Sequence, residues 1–309
     1  MNILVTGGAG FIGSNIVAAL LKEKHDITVL DNFHSSKGNQ NLKGLNVTLI
    51  KGEVGKIDKL NIEKPEVIFH QGIYSSSPMY KENPRLVAKA IDDFIVLLEF
   101  AKKHSAQVIF ASTSSIYNNI APPHKENSVP KITDFYTETR ITMERIAELY
   151  NNLYGMKIIG LRYFSVYGPN EKSKGQYANL VSQFLWAMMK NEIPVIYGDG
   201  TQSRDFIYVE DVVRANILAM KSKLRFGIYN VGTGKTYSLN QLIDILNKKL
   251  GTKIRPCYVE NKIKNYVQTT LADTTKARNE LSFNAEVTLE QGIENIILLE
   301  RNLKKKQQN

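Results

Sequence analysis

The stretch Thr6-Gly7-Gly8-Ala9-Gly10-Phe11-Ile12-Gly13 decides how this chain is read. It follows the apolar run Ile3-Leu4-Val5 and leads into the amphipathic stretch Ile12–Lys22. Glycines at these positions suit a strand that turns tightly into a helix. Gly7 permits the turn, Gly10 lets the backbone approach a pyrophosphate, and Gly13 lets the helix lie close on the sheet. The pyrophosphate would rest on the positive N-terminus of that helix. Asp31 ends the next apolar run, 18 residues after Gly13. A carboxylate there accepts hydrogen bonds from ribose hydroxyls and repels a 2′-phosphate, so the spacing predicts NAD rather than NADP.

Outward from this turn, short apolar runs alternate with helical patterns. Candidate strands are Ile3–Val5, Ile27–Leu30, Val47–Ile50, Val67–His70, Val108–Ala111 and Lys157–Arg162, and the helical stretches include Ile12–Lys22, Pro84–His104 and Phe135–Tyr154. This alternation predicts an α/β fold, a Rossmann-type doubly wound parallel sheet with helices on both faces. From about Val166 the pattern loosens, punctuated by Pro169, Gly175, Pro194, Gly198 and Gly200. We expect residues 1–165 to form the dinucleotide domain and 166–309 a smaller substrate lobe interleaved with it. Gly232-Thr233-Gly234-Lys235-Thr236 resembles the end of a phosphate-binding P-loop, but that motif needs a glycine where Tyr229 stands.

The bulk numbers narrow the class. At 309 residues, 43% hydrophobic and 23% charged, the chain reads as a soluble globular protein of two lobes. The net charge of +10 is spread along the chain rather than gathered with stacking aromatics, which argues against nucleic acid and for an anionic substrate. The one dense run, Lys304-Lys305-Lys306, is expected to be a frayed, solvated end. Cys257 is the single cysteine, so no internal disulfide forms. No apolar run approaches the ~18 residues of a membrane span. Met1 leads directly into the first strand, leaving no room for a signal peptide, and the expected compartment is the cytoplasm. No metal is expected.

Tyr136 and Arg140 stand four residues apart on a predicted helix, hence on one face. Ser112-Thr113-Ser114-Ser115 ends a strand at the sheet's carboxyl edge, where open α/β sheets bind ligands. A free phenol titrates near ~10, so a tyrosine base needs help from positive charge. The Arg140 guanidinium and an oxidised nicotinamide ring can supply it. The same two residues could equally form an ordinary surface pair.

Taken together the motifs resemble the extended short-chain dehydrogenase/reductase superfamily, and within it the nucleotide-sugar epimerases typified by UDP-glucose 4-epimerase. They stand as Gly7 to Ser14, Leu30-Asp31-Asn32, His70-Gln71-Gly72, Ser112 to Tyr117, Tyr136-x-x-x-Arg140, Arg162 to Pro169, and Arg204-Asp205-Phe206-Ile207-Tyr208-Val209-x-Asp211. The resemblance implies bound NAD, held by Gly7, Gly10, Phe11, Ile12, Gly13, Asp31, Asn32, Ser36, Glu53, Val54, Gln71, Gly72, Tyr136, Arg140 and Tyr163. It implies a nucleoside-diphosphate sugar, a UDP-hexose, held by Ser75, Thr113, Ser114, Ser165, Val195, Tyr197, Arg204, Lys264 and Thr270. In that scheme Tyr136 is the base, Thr113 holds the reacting hydroxyl, and Arg140 replaces the usual lysine on the nicotinamide ribose. Arg204 clamps the diphosphate, Val195 and Tyr197 pack the nucleobase, and the small Thr270 leaves room for N-acetylated sugars. Helices Pro84–His104 and Phe135–Tyr154 match those that pair in a homodimer.

Ser114-Ser115 follows Thr113 where related dehydratases carry Asp-Glu and decarboxylases a Glu. Neither serine exchanges a proton near neutrality, so C4 epimerisation of UDP-glucose/UDP-galactose through a transient 4-keto sugar is the expected reaction. The alternatives are a non-catalytic NAD- or sugar-nucleotide-binding protein and another oxidoreductase or dehydratase of the superfamily.

Overall fold

The computed structural model describes residues 1–36, 38–262 and 266–308. Six strands from the first 163 residues pair in parallel: β1 (Asn2–Thr6), β2 (Asp26–Asp31), β3 (Thr48–Lys51), β4 (Val67–His70), β5 (Gln107–Thr113) and β6 (Ile158–Tyr163). A seventh, β7 (Phe226–Val231), pairs with β6, giving the order β7-β6-β5-β4-β1-β2-β3. Chain order therefore reverses between β1 and β4, and such a switch point opens a crevice at the strands' carboxyl ends.

Both faces of the sheet are covered, which is why its strands are continuous apolar runs. Along β1, Leu4 enters one core while Ile3 and Val5 enter the other. On the Ile3 side, α1 (Phe11–Lys22) contributes Ile16, Val17 and Leu20, and helix Val209–Lys221 contributes Val212, Val213 and Ala219. On the Leu4 side, α3 (Leu86–His104) contributes Phe94, Leu97 and Leu98, and α4 (Phe135–Tyr154) contributes Met143 and Ala147. Burying each such side chain stabilises the fold by about 1.5–3 kcal/mol for the large apolar residues. The short α2 (Ser77–Glu82) links β4 to α3.

A third core is built on Tyr167, Val181, Phe184, Ile196, Leu242 and Ile293. Beyond Ser165 the chain enters this third core and then returns with helix Val209–Lys221 and β7 to complete the sheet before leaving again. The expected strands lie within two residues of the observed ones at each end, and α4 has the expected bounds. The lysine run at 304–306 departs from expectation, because the last helix, Leu289–Gln308, carries its backbone through it. Among the described residues no helix is long and apolar enough to cross a membrane.

Candidate active site

A cavity of about 410 Å³ runs along the carboxyl edge of the sheet. Every residue expected to hold NAD lines it except Ser36, as do Ser75, Thr113, Ser114 and Ser165 of the expected substrate set. Ser36 is buried off the wall, its hydroxyl without a hydrogen-bond partner. Val195, Tyr197, Arg204 and Thr270 do not line this cavity, and Lys264 lies outside the described residues.

The turn before α1 is built for a dinucleotide. Gly10 begins the helix with no side-chain cap, and no acidic residue stands in the first turn, so its amides face the cavity without a competing carboxylate. Gly7 has φ +67°, and a Cβ on it would lie 2.6 Å from Gly72 Cα. A Cβ on Gly13 would lie 2.2 Å from the Gly7 carbonyl oxygen. Only glycine fits either position, and the cradle fits a pyrophosphate. At the end of β2, Asp31 accepts hydrogen bonds from the Ala9 amide (2.9 Å) and the Phe33 amide (2.7 Å), which fix its carboxylate at the cavity wall. Burial pushes its pKa up, and these two bonds oppose that.

The opposite end carries Tyr136 and Arg140. Asp134 caps α4, accepting from the Thr137 amide at 2.8 Å and from the Ser77 hydroxyl at 2.6 Å. One contact set thus starts the helix and ties it to the segment after β4. Tyr136 is 9% exposed and Arg140 3%. The Arg140 guanidinium carbon lies 5.1 Å from the Tyr136 ring centroid. Nη2 of Arg140 donates to the Tyr74 carbonyl at 2.8 Å and Nη1 to the Ala111 carbonyl at 3.3 Å, while the buried Nε has no hydrogen-bond partner. No salt bridge to Arg140 occurs among the described residues. Its uncompensated charge reaches His70, whose pKa is driven down to about 3 by burial first and by Arg140 second. His70 is therefore neutral, with Nδ1 2.8 Å from the Thr6 hydroxyl.

Thr113 ends β5, and its hydroxyl accepts from the Ser115 amide at 3.1 Å. This turns Ser114–Tyr117 into a short helical segment that holds the Ser114 and Ser115 hydroxyls at the cavity wall. The Tyr163 hydroxyl accepts from Asn216 Nδ2 at 2.9 Å and donates to Gln71 Oε1 at 3.3 Å. Burial pushes its phenol up to about 12, so Tyr163 stays protonated and structural.

The cavity is polar in a directed way. Its lining carboxylates are Asp31, Glu53 and Asp93, all on the β2–β3 side. The β5–β6 side presents hydroxyls, Tyr136 and Arg140. Sequence reasoning missed His34, Tyr74, Asp93, Lys174, Tyr177 and Asn179, all of which line the cavity. His34 and Tyr74 meet edge-on with ring centroids 5.0 Å apart, joining the segments after β2 and β4. Lys174 stands 5.9 Å from the Phe11 ring centroid, beside the glycine turn. A signal for one of them was present, since Asp92-Asp93 interrupts an otherwise apolar stretch of α3.

The remaining described residues of the expected set, Val195, Tyr197, Arg204 and Thr270, lie beyond Ser165 in the chain. Val195 and Tyr197 are exposed on a short strand that pairs with Cys257–Val259. Arg204 donates to the Ser203 carbonyl at 2.8 Å and the Gln268 carbonyl at 3.2 Å and lies over the Tyr266 ring, and burial lowers its pKa. The Thr270 hydroxyl is turned inward, accepting from the Asp205 amide at 3.0 Å. The P-loop-like turn is likewise occupied, because the amides of Thr233 and Gly234 donate to the buried Asp205 carboxylate at 2.8 and 3.0 Å. Its donors serve a side chain and not a phosphate.

This glycine turn, fixed aspartate and Tyr-Arg pair define a dinucleotide-dependent enzyme site. The chain belongs to the NAD dependent epimerase/dehydratase family, which it matches over residues 3–232, and its cofactor is NAD. It is similar over 98% of its length to the crystal structure of UDP-glucose 4-epimerase from Thermotoga maritima with UDP-glucose, at 34% identity, a TM-score of 0.91 and 99% coverage of that chain. It is 31% identical to the UDP-N-acetyl-alpha-D-glucosaminuronate decarboxylase of Bacillus cytotoxicus, over 95% of this chain and 96% of that one. The structure of MoeE5 in complex with UDP-glucuronic acid and NAD matches 98% of this chain and all of that one, at 27% identity and a TM-score of 0.86.

Proposed function

We propose that this chain inverts C4 of a UDP-hexose. The observation that carries the reading is the absence of any carboxylate, among the described residues, on the β5–β6 side of the cavity. Eliminating water needs an acid and a base there, whereas oxidation and re-reduction of one carbon needs a single proton acceptor. Tyr136 is that acceptor. Bound NAD supplies the hydride chemistry at the sugar carbon. Tyr136 takes the proton of the 4-hydroxyl and later returns it. Arg140 lies on the same helical face and favours the phenolate by charge. Thr113 orients the hydroxyl, and the surrounding Ser75, Ser114 and Ser165 hold the ring's other oxygens. Arg204 binds the diphosphate, Val195 and Tyr197 the nucleobase, and Thr270 and Lys264 complete the sugar-nucleotide site. Of these, Val195, Tyr197, Arg204 and Thr270 do not share the cavity described above, so the substrate's nucleotide extends beyond it. The exposed Ile95 of α3 and Leu149, Leu153 and Tyr154 of α4 pair with a second copy of the chain.

A second reading is a UDP-uronate substrate. The hydroxyls of Thr113, Ser114, Ser115 and Ser165 suit a sugar carboxylate, and two of the relatives above act on or bind such a sugar. Incubating the protein with UDP-glucose, UDP-N-acetylglucosamine and UDP-glucuronate, followed by proton NMR at C4, separates these readings. Inversion of a neutral hexose without net absorbance at 340 nm is the expected result. Inversion of the uronate alone selects the second reading, and release of carbon dioxide or lasting reduced dinucleotide overturns both. Binding of NAD and UDP with no conversion at all would leave a non-catalytic binding protein.

A further inference from the structure

The glycine turn is faced by a segment from far along the chain. Glu171–Tyr177 brings Ser173, Lys174 and Tyr177 to the cavity wall. Its near edge is fastened to the start of α1. Asn170 Nδ2 donates to the Ser14 hydroxyl at 3.0 Å, and Asn15 Nδ2 to the Pro169 carbonyl at 3.1 Å. Asn41 Nδ2 spans both parts, donating to the Ala9 carbonyl at 3.0 Å and the Asn170 carbonyl at 3.4 Å. The far edge is fastened back to Glu171, whose carboxylate accepts from the Asn179 amide at 2.6 Å and the Ser182 hydroxyl at 2.5 Å. Both ends of the segment are therefore set, and its middle is held beside Phe11, the first residue of α1.

That middle carries two polar groups the protein does not use. Ser173 Oγ is buried and makes no hydrogen bond. Lys174 forms no ion pair or hydrogen bond among the described residues, and its ammonium lies 5.9 Å from the Phe11 ring centroid. Its charge reaches the Glu171 carboxyl, whose pKa burial pushes up and Lys174 opposes, but both Glu171 oxygens are already engaged. Arg140 is the other lysine or arginine among the lining residues, and it stands at the Tyr136 end. Each phosphate of a dinucleotide brings a negative charge to the α1 turn, where the helix N-terminus offers roughly half a positive charge. Lys174 is the side-chain cation on the wall placed to meet the rest.

We propose that Lys174 is a diphosphate-binding residue that clamps the cofactor onto the α1 turn from outside it, with the Ser173 hydroxyl as its neutral partner. Cofactor retention then depends on a segment distant in the chain from the glycine turn. A nucleotide sugar carries the same chemical group, so the test separates the two sources. The inference rests on the NAD assignment and not on the sugar reaction. Calorimetric titrations of the full chain with NAD, adenosine and UDP, at about 0.05 and 0.5 M sodium chloride, read binding alone. At the lower salt Lys174→Met is expected to weaken NAD on the order of tenfold. Adenosine has no phosphate and UDP lies elsewhere, so both are expected to change by less than about twofold. Raising the salt is expected to weaken NAD more in the unaltered chain than in this variant. Lys174→Arg keeps the charge and is expected to stay within about threefold. Lys172→Met removes the neighbouring cation, which pairs with Glu300 at 2.6 Å, and is expected to keep the NAD affinity. Unchanged NAD affinity in Lys174→Met overturns the proposal. So does a loss shared by adenosine or by Lys172→Met, or one that falls on UDP in place of NAD. Every arm reads binding, so failure to invert a sugar bears only on the reaction proposed above.

Discussion

Arg140 and Arg162 are both buried in the sheet lobe, yet their surroundings are opposite. Arg162, on β6, is gripped by Glu144 in a two-pronged pair, with Nη2 2.7 Å and Nε 2.9 Å from its carboxylate oxygens. Its Nη1 donates to the Tyr117 hydroxyl at 2.7 Å, and Ser112 donates to the same Glu144 at 2.5 Å. Arg140 has two backbone carbonyls and an unpartnered Nε. A buried charge that is closed on all sides holds structure, and one left open is held ready for a ligand. The contrast sets a fully paired arginine against one with charge to spare.

The largest test of this contrast is Glu144→Ala. Removing one partner of a buried pair leaves Arg162 uncompensated and costs about 3–5 kcal/mol. The thermal midpoint is expected to fall by about 10 °C. A fall under about 2 °C would erase the distinction. Arg140→Met is the mirror experiment. Deleting an open charge is expected to leave the midpoint unchanged or raised, while sugar turnover drops on the order of 100-fold, about 2.7 kcal/mol in the barrier. Loss of stability together with activity would make Arg140 another scaffold residue.

His70 reports the same open charge through pH. Burial and Arg140 hold its folded pKa at about 3, below the unfolded value near ~6.5. The unfolded chain therefore takes up the proton first. Stability from His70 is complete above pH ~6.5 and falls as pH drops toward 3, by about 1.4 kcal/mol per pH unit. Denaturant titrations at pH 6.5 and 5 are expected to differ by about 2 kcal/mol more in the unaltered chain than in His70→Gln. The smallest effect belongs to Arg140→Lys, which keeps the charge but not the planar fork. Turnover is expected to stay within about tenfold, under about 1.4 kcal/mol. A lysine variant as inactive as the methionine variant would show that carbonyl anchoring, and not charge, is what Arg140 contributes.

The sheet was legible because a parallel sheet buried on both faces needs uninterrupted apolar strands. α4 was legible because Asp134 and Gly155 bracket it, the first as a side-chain cap and the second in the left-handed conformation. The strand β7 was not, because its pairing with β6 joins segments far apart in the chain and its pattern is no stronger than those of its neighbours. The face that α3 turns to the cavity depends on how it docks, so Asp93 carried no expected role. The anchors of Arg140 are carbonyls of Tyr74 and Ala111, and backbone groups leave no residue-type signature. Thr270 was placed at the sugar by resemblance, and its hydroxyl accepts from the Asp205 amide.

The return of the chain to finish its sheet has a practical consequence for protein engineering. A fragment stopping at Ser165 would leave the buried strand β6 as a bare hydrophobic margin, open to pairing with other molecules. It would also strip the flank of α1, where Val212 and Val213 belong to the same core as Val17 and Leu20. Chimeras that trade sugar preference between relatives therefore cannot be spliced at one junction. They need seams near Ser165, near Val209 and after Val231, so that each transplanted lobe arrives with the sheet margin intact.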